Sequence, residues 1–87
     1  MSRQGRPPKE PDTTTYRGRL GARLRSLREG QGWSVEELRD RLEAAGLDVT
    51  VRTLNGWESG SSSPTVEKYP TIAATFGVTV HGLLPAE

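Results

Sequence analysis

Residues 34–60 read SVEELRDRLEAAGLDVTVRTLNGWESG, and this stretch restricts the possible folds more than any other part of the chain. Its first half is an amphipathic helix with a built-in start. Ser34 and Glu37 have capping-box spacing, so each side chain can satisfy the other's free backbone N–H. Leu38, Leu42 and Ala45 then recur as one apolar stripe, while Glu36, Arg39, Asp40, Arg41 and Glu43 face water. Gly46 is the expected stop, Leu47-Asp48-Val49 the connection, and Thr50 the cap of whatever follows. The paired Glu36 and Glu37 are favourable charges at a helix start, with nothing nearby to use them as an acid–base pair.

Residues 50–60 admit two readings. Val49 to Leu54 alternates and is β-branched, and Asn55-Gly56 is a strong hairpin turn signal. A second strand would be Trp57-Glu58-Ser59 alone, too short and too polar to pair stably. A helix instead turns Leu54 and Trp57, with Val51 one turn earlier, toward a core and leaves Arg52, Thr53, Asn55 and Gly56 outside. The helical context on both sides favours the helix. Two short helices held at a fixed angle by a small core let one of them present its outer face to a partner, above all to the major groove of DNA.

The flanks supply that core. In residues 16–30, Leu20, Leu24 and Leu27 form an apolar stripe. Gly18 and Gly21 weaken the first turns, and Arg23 and Arg25 read as solvated helix-face charges, with contact to phosphate as the alternative. Trp33 begins the next core contact. After Ser61-Ser62-Ser63-Pro64, a loop, residues 65–76 place Val66, Tyr69, Ile72, Ala73 and Phe76 at helical spacing with Thr65 as cap; Pro70 must kink that helix or delay its regular start. Residues 80–84 form a last short helix stopped by Pro85. The expected fold is all-α: five helices over residues 15–87, preceded by a disordered basic arm, residues 1–14. That arm holds Pro7, Pro8 and Pro11 and cannot offset its own ordering entropy. Within it, Gly5-Arg6-Pro7 beside Arg3 and Lys9 resembles the core of an AT-hook, which lies in the minor groove; the alternative is a solubilising tail that touches phosphate weakly.

Composition excludes several classes. The chain has no cysteine and a single histidine, His81, so disulfide scaffolds and cysteine zinc sites are ruled out and a metal centre is not expected. No apolar run is long enough for a membrane span or a secretory signal, and the expected compartment is the cytoplasm, in association with the nucleoid. No nucleophile–base pair is apparent, so neither enzyme activity nor a cofactor is expected. The net charge of +1 hides an asymmetry: residues 1–33 carry eight basic and three acidic groups, residues 34–87 four basic and eight acidic. A basic front half suits a polyanionic partner.

From Leu20 to Leu84 the chain resembles the Cro/C1-type (Xre-like) helix-turn-helix family, the lambda-repressor-like DNA-binding fold. The resemblance rests on Leu24 and Arg28, on Ser34-x-x-Glu37-Leu38 and Leu42, and on Thr53-Leu54-x-x-Trp57-Glu58-x-Gly60. Pro64-x-Val66-Glu67, Ile72-Ala73-x-x-Phe76-Gly77-Val78-Thr79-Val80 and Leu83-Leu84 complete it. It implies that Val51, Arg52 and Asn55 face base edges, with Arg52 able to grip guanine and Val51 a thymine methyl. It further implies backbone contacts from Ser34, Thr50, Thr53, Arg17, Ser61 and Ser62, arm contacts from Arg3, Arg6 and Lys9, and a structural pair between Arg28 and Glu58. Trp57 would be core.

The chain departs from the family pattern at four places. The connection after the second helix is about a turn longer, Gly56 stands where a base-reading side chain often sits, Val35 replaces a frequent polar contact, and the loop after Gly60 is serine rather than basic. The implied partner is double-stranded DNA, bound by a homodimer on an inverted repeat, and the implied function is a sequence-specific transcriptional regulator acting as a repressor. The rival reading is an interaction module of the same fold that binds a protein, which the acidic back half favours.

Overall fold

The computed structural model describes residues 12–85; Arg3, Arg6 and Lys9, and with them the AT-hook resemblance, lie outside the described residues. These residues form five α-helices: α1 (Tyr16–Gln31), α2 (Val35–Ala44), α3 (Val51–Ser59), α4 (Tyr69–Phe76) and α5 (Val80–Leu83). One 3-10 turn, Val66–Lys68, precedes α4. The all-α class and the helix in place of the hairpin at residues 50–60 are as expected. Leu54 and Trp57 are both buried, which a two-stranded ribbon of this length could not achieve.

α1, α2, α3 and α5 each begin on a hydroxyl, of Thr15, Ser34, Thr50 and Thr79, that accepts an N–H of the first turn. Thr15 Oγ1 accepts the Gly18 N–H at 3.0 Å, and the chain before it is folded back, with the Thr15 N–H on the Asp12 carbonyl and Thr14 Oγ1 donating to Asp12 Oδ1. Asp12–Thr14, grouped with the arm on sequence grounds, thus form a hydrogen-bonded turn. The capping box is complete: Ser34 Oγ accepts the Glu37 N–H at 3.1 Å, and the Ser34 N–H donates to Glu37 Oε1 at 3.2 Å. Ser34→Ala is expected to cost about 1 kcal/mol, read as a lower Tm by circular dichroism. An unchanged Tm would show that water replaces the cap at no cost.

Around Pro70 the chain takes the second of the two expected courses. The regular helix starts late, with the proline at its first turn, where a missing N–H deletes no bond. The 3-10 turn fills the gap, and its Thr65 makes no side-chain cap bond to the helix. Two burial expectations need correction. Val66, placed in the buried stripe by helical spacing, is 69% exposed, because the 3-10 turn breaks the 3.6-residue period before α4 begins. Ala45 is also exposed; it caps α2 after the helix has already run past the core.

The core joins Leu20 and Leu24 of α1, Leu38 and Leu42 of α2, Leu54 and Trp57 of α3, Ile72, Ala73 and Phe76 of α4 and Leu83 of α5. Leu27 and Trp33 pack at its edge, half-buried, and the Trp33 ring stacks on Phe76 with centroids 5.8 Å apart. Arg41 lies over the outer face of Trp33 at 4.3 Å, within the range where a cation is attracted to an aromatic face. Arg23 is not simply solvated. Its Nε and Nη2 both donate to the Gly82 carbonyl, at 3.2 and 2.9 Å, tying α5 to α1.

The closest helix contact is α1 against α3, and glycines make it possible. A Cβ on Gly21 would run into the Trp57 carbonyl oxygen and lie 2.8 Å from that of Glu58. The expectation that Gly21 weakens α1 holds for local propensity, but its hydrogen is what lets α3 lie flat on α1.

Candidate nucleic-acid interface

The orientation of α3 is fixed from below. Leu54, Trp57 and Glu58 are buried beneath it, so the 100° step of the helix turns Arg52, Thr53 and Asn55 outward, where all three are exposed. Val51, the first helical residue, is half-buried, and so belongs wholly neither to the core nor to the outer surface. Thr50 caps α3 through the Thr53 N–H at 3.0 Å, and its hydroxyl proton goes to Thr53 Oγ1 at 3.0 Å.

Below this surface lies the ion pair that sets the height of α3 over α1. Arg28 Nε donates to Glu58 Oε2 at 2.7 Å and Nη2 to Oε1 at 3.0 Å, a two-pronged contact. The third arm, Nη1, donates to the Trp33 carbonyl at 2.8 Å, just before the start of α2. One side chain thus joins α1, the α1–α2 corner and α3. The facing carboxylate of Glu58 holds the Arg28 guanidinium even further above its ordinary range, with burial opposing.

Outside, the surface divides into two open grooves. The larger, about 830 Å³, runs past Arg52, Asn55 and Gly56 between α1 and the serine loop and also reaches Val35 at the start of α2. Ser61 and Ser62 border it, held by their N–H groups on the Gly56 carbonyl at 3.0 and 3.2 Å. The smaller groove, about 340 Å³, lies at the other end of α3 and is lined by Thr50, Thr53, Pro64, Thr65 and Lys68 among others. Arg17 is exposed in the first turn of α1, and its carbonyl borders Gly60 at the serine-loop end of α3.

Arg52, Asn55, Thr53, Thr50, Ser61 and Ser62 therefore lie along the outer side of α3, with Val51 at its root and Arg17 near its end. Ser34 stands at the exposed start of α2, but its own N–H is occupied by Glu37. A phosphate there would have to use the next N–H groups, against the exposed Glu36 and Glu37 carboxylates. Two further cations stand at the grooves: Arg25, for which phosphate contact is the lesser of two expectations, and Lys68, for which no contact is expected. Arg25 lies three residues before Arg28, on the same flank of α1, and so shares its groove. Lys68 had no comparable signal, because the 3-10 turn decides where it points. Among the described residues no group of three or more His, Asp or Glu side chains is placed to hold a metal ion, and no helix is long and apolar enough to cross a membrane.

Comparison with known proteins places this geometry. A family model described as helix-turn-helix matches residues 24–83. The chain is similar to an HTH-type transcriptional regulator, DdrOP3, from Deinococcus deserti, with 33% identity over 66 residues. That match covers 76% of this chain but 47% of the relative, so the chain spans about half the length of the curated protein it matches. Among solved structures it is similar to a hypothetical transcription factor, NHTF, from Neisseria, with a TM-score of 0.68 and 30% identity over 91% of this chain and 86% of that one. On the extent of the family match and the helix arrangement, the chain belongs to the Cro/C1-type (Xre-like) helix-turn-helix family of DNA-binding transcription regulators.

Proposed function

We propose that the protein is a sequence-specific repressor that binds an inverted-repeat operator as a homodimer, with α3 as its recognition helix. The carrying observation is the division of α3: Leu54, Trp57 and Glu58 hold it to the core while Arg52, Thr53 and Asn55 are left exposed on one surface. Arg52 and Asn55 have the donor patterns that suit guanine and adenine edges, and Val51 can reach a thymine methyl. Thr50, Thr53, Ser61, Ser62, Arg17 and the start of α2 at Ser34 act on the sugar–phosphate backbone, which sets register without reading sequence. Arg3, Arg6 and Lys9 add charge to the same partner. Half-sites about one helical turn apart follow from the geometry of two-fold recognition helices. Repression would come from occupying the operator.

Selection of bound sites from a random duplex library tests this directly; the expected result is a two-fold symmetric motif with affinity that falls steeply with salt. Arg52→Ala is expected to lose about 1–3 kcal/mol of binding and to relax preference at one base position of each half-site. Equal loss on every sequence would assign Arg52 to phosphate. The acidic exposed side of α2, with Glu36, Glu37, Asp40 and Glu43, supports the rival reading, a module that binds protein. Absence of any duplex binding at low salt would favour it.

A further inference from the structure

Gly56 leaves a notch in the outer surface of α3, and the serine loop closes one side of it. A Cβ at Gly56 would lie 2.8 Å from Ser62 Oγ and 3.8 Å from Ser61 Oγ. The loop is anchored there: besides the two N–H contacts described, Ser59 Oγ donates to the same Gly56 carbonyl at 3.2 Å, and the Ser59 and Ser61 hydroxyls share a hydrogen bond of 2.8 Å. The Ser62 hydroxyl makes no hydrogen bond among the described residues. On its other side the notch opens into the larger groove and reaches Arg25.

Three guanidinium groups line that groove, and their commitments differ. Arg28 is taken up by Glu58 and by the Trp33 carbonyl. Arg52 leaves from the exposed first turn of α3, among the groups given to base edges. Arg25 has a single partner, Glu29, one helical turn on at 3.4 Å, with side chains 32% and 60% exposed. A solvated pair of that kind is weak and gives way to a better-placed anion. The groove-lining Glu58 carboxylate is neutralised by Arg28, and Glu29, the partner of Arg25, is the one to be exchanged.

We propose that the notch over Gly56 is a binding site for one phosphate of the DNA backbone, held by the Arg25 guanidinium from α1 and by the Ser62 hydroxyl from the loop. The proposal rests on the DNA-binding role assigned to α3. The missing side chain at Gly56 allows the phosphate to approach the helix, the guanidinium fork matches two of its oxygens, and the hydroxyl donates to a third position. Charge that the serine loop lacks is supplied from α1 instead.

The test uses the selected duplex with a neutral methylphosphonate placed at each backbone position in turn, with binding followed by fluorescence anisotropy. The unaltered protein is expected to lose roughly three- to tenfold in affinity at one position near the centre of α3's footprint, the range of a single lost charged contact. Arg25→Gln should bind the natural duplex weaker by a similar factor on all operator variants and make the plot of log K against log salt shallower by about 0.9. It should also no longer sense the methylphosphonate at that position, with an unchanged Tm. Ser62→Ala should show a smaller loss at that same position, and Arg25→Lys should restore the salt slope. An Arg25→Gln variant with an unchanged slope and full sensitivity at every position overturns the proposal, and so does a changed base preference, which would make Arg25 a base reader. If the unaltered protein binds no duplex at all, the recognition role of α3 fails and this site fails with it, a result distinct from the other two.

Discussion

Glu58→Ala is expected to cost about 3–5 kcal/mol of folding stability, the range for removing one member of a buried ion pair. The size follows from what is left behind. The Arg28 side chain is 12% exposed and that of Glu58 10%, so the truncation strands a guanidinium that cannot shed its proton. Two of its donors lose their acceptor, and only the bond to the Trp33 carbonyl survives. For a domain of this size each kcal/mol moves Tm by roughly 4–8 °C, so thermal melts should show a drop of at least about 12 °C. Replacing both partners, as in Arg28→Met with Glu58→Leu, should recover much of the loss, because an apolar pair of similar volume carries no desolvation penalty. A fall of less than about 1 kcal/mol in the single variant would mean that water reaches the pair and screens it.

Gly21→Ala should be the next most damaging change, although it improves the helix locally. Alanine in a helix interior gains about 1 kcal/mol over glycine. Against this, the new methyl group would press on the backbone carbonyls of Trp57 and Glu58, and neither can rotate away as a side chain would. Overpacking of this kind costs about 1–3 kcal/mol and occasionally more, and a clash with backbone places it at the upper end. The net expectation is a loss of about 2 kcal/mol, accompanied by a small lift of α3 from α1. Denaturant unfolding measures the first, and a reduced affinity for the selected duplex measures the second. A Gly21→Ala protein more stable than its parent would show that the two helices separate easily, and that the close approach is incidental.

The capped starts at Ser34 and Thr50 were legible because a cap is a three-residue matter, settled by the hydroxyl and the N–H it meets. The leucine stripes of α1 and α2 were legible because burial of a regular helix repeats with its period. Val66 and Ala45 were misplaced where that period ends: one sits in a 3-10 turn, the other just past the last turn of α2. Gly21 looked like a local weakness, since the carbonyls it accommodates are more than thirty residues away in the chain. Arg23 looked solvated for the same reason, its acceptor on Gly82 lying 59 residues on. Within the interface, the outward positions of α3 could be read from spacing alone. The pairing of Gly56 with the serine loop, and the reach of Arg25 into the same groove, depend on how a loop folds back on its helix.

From Arg52 to Glu58 of α3, the fully buried positions that hold the domain together and the exposed ones that meet the outside are interleaved but do not overlap. Substitutions at Arg52, Thr53 and Asn55 therefore leave the buried contacts of Leu54, Trp57 and Glu58 untouched, and surface changes of this sort shift stability by little. Such a helix can acquire a new target by single steps, each of which still folds. Gly56 is the exception, because any side chain introduced there must first displace Ser62. Change at that one position is coupled to change in the loop, and an evolving lineage would be expected to alter the two together.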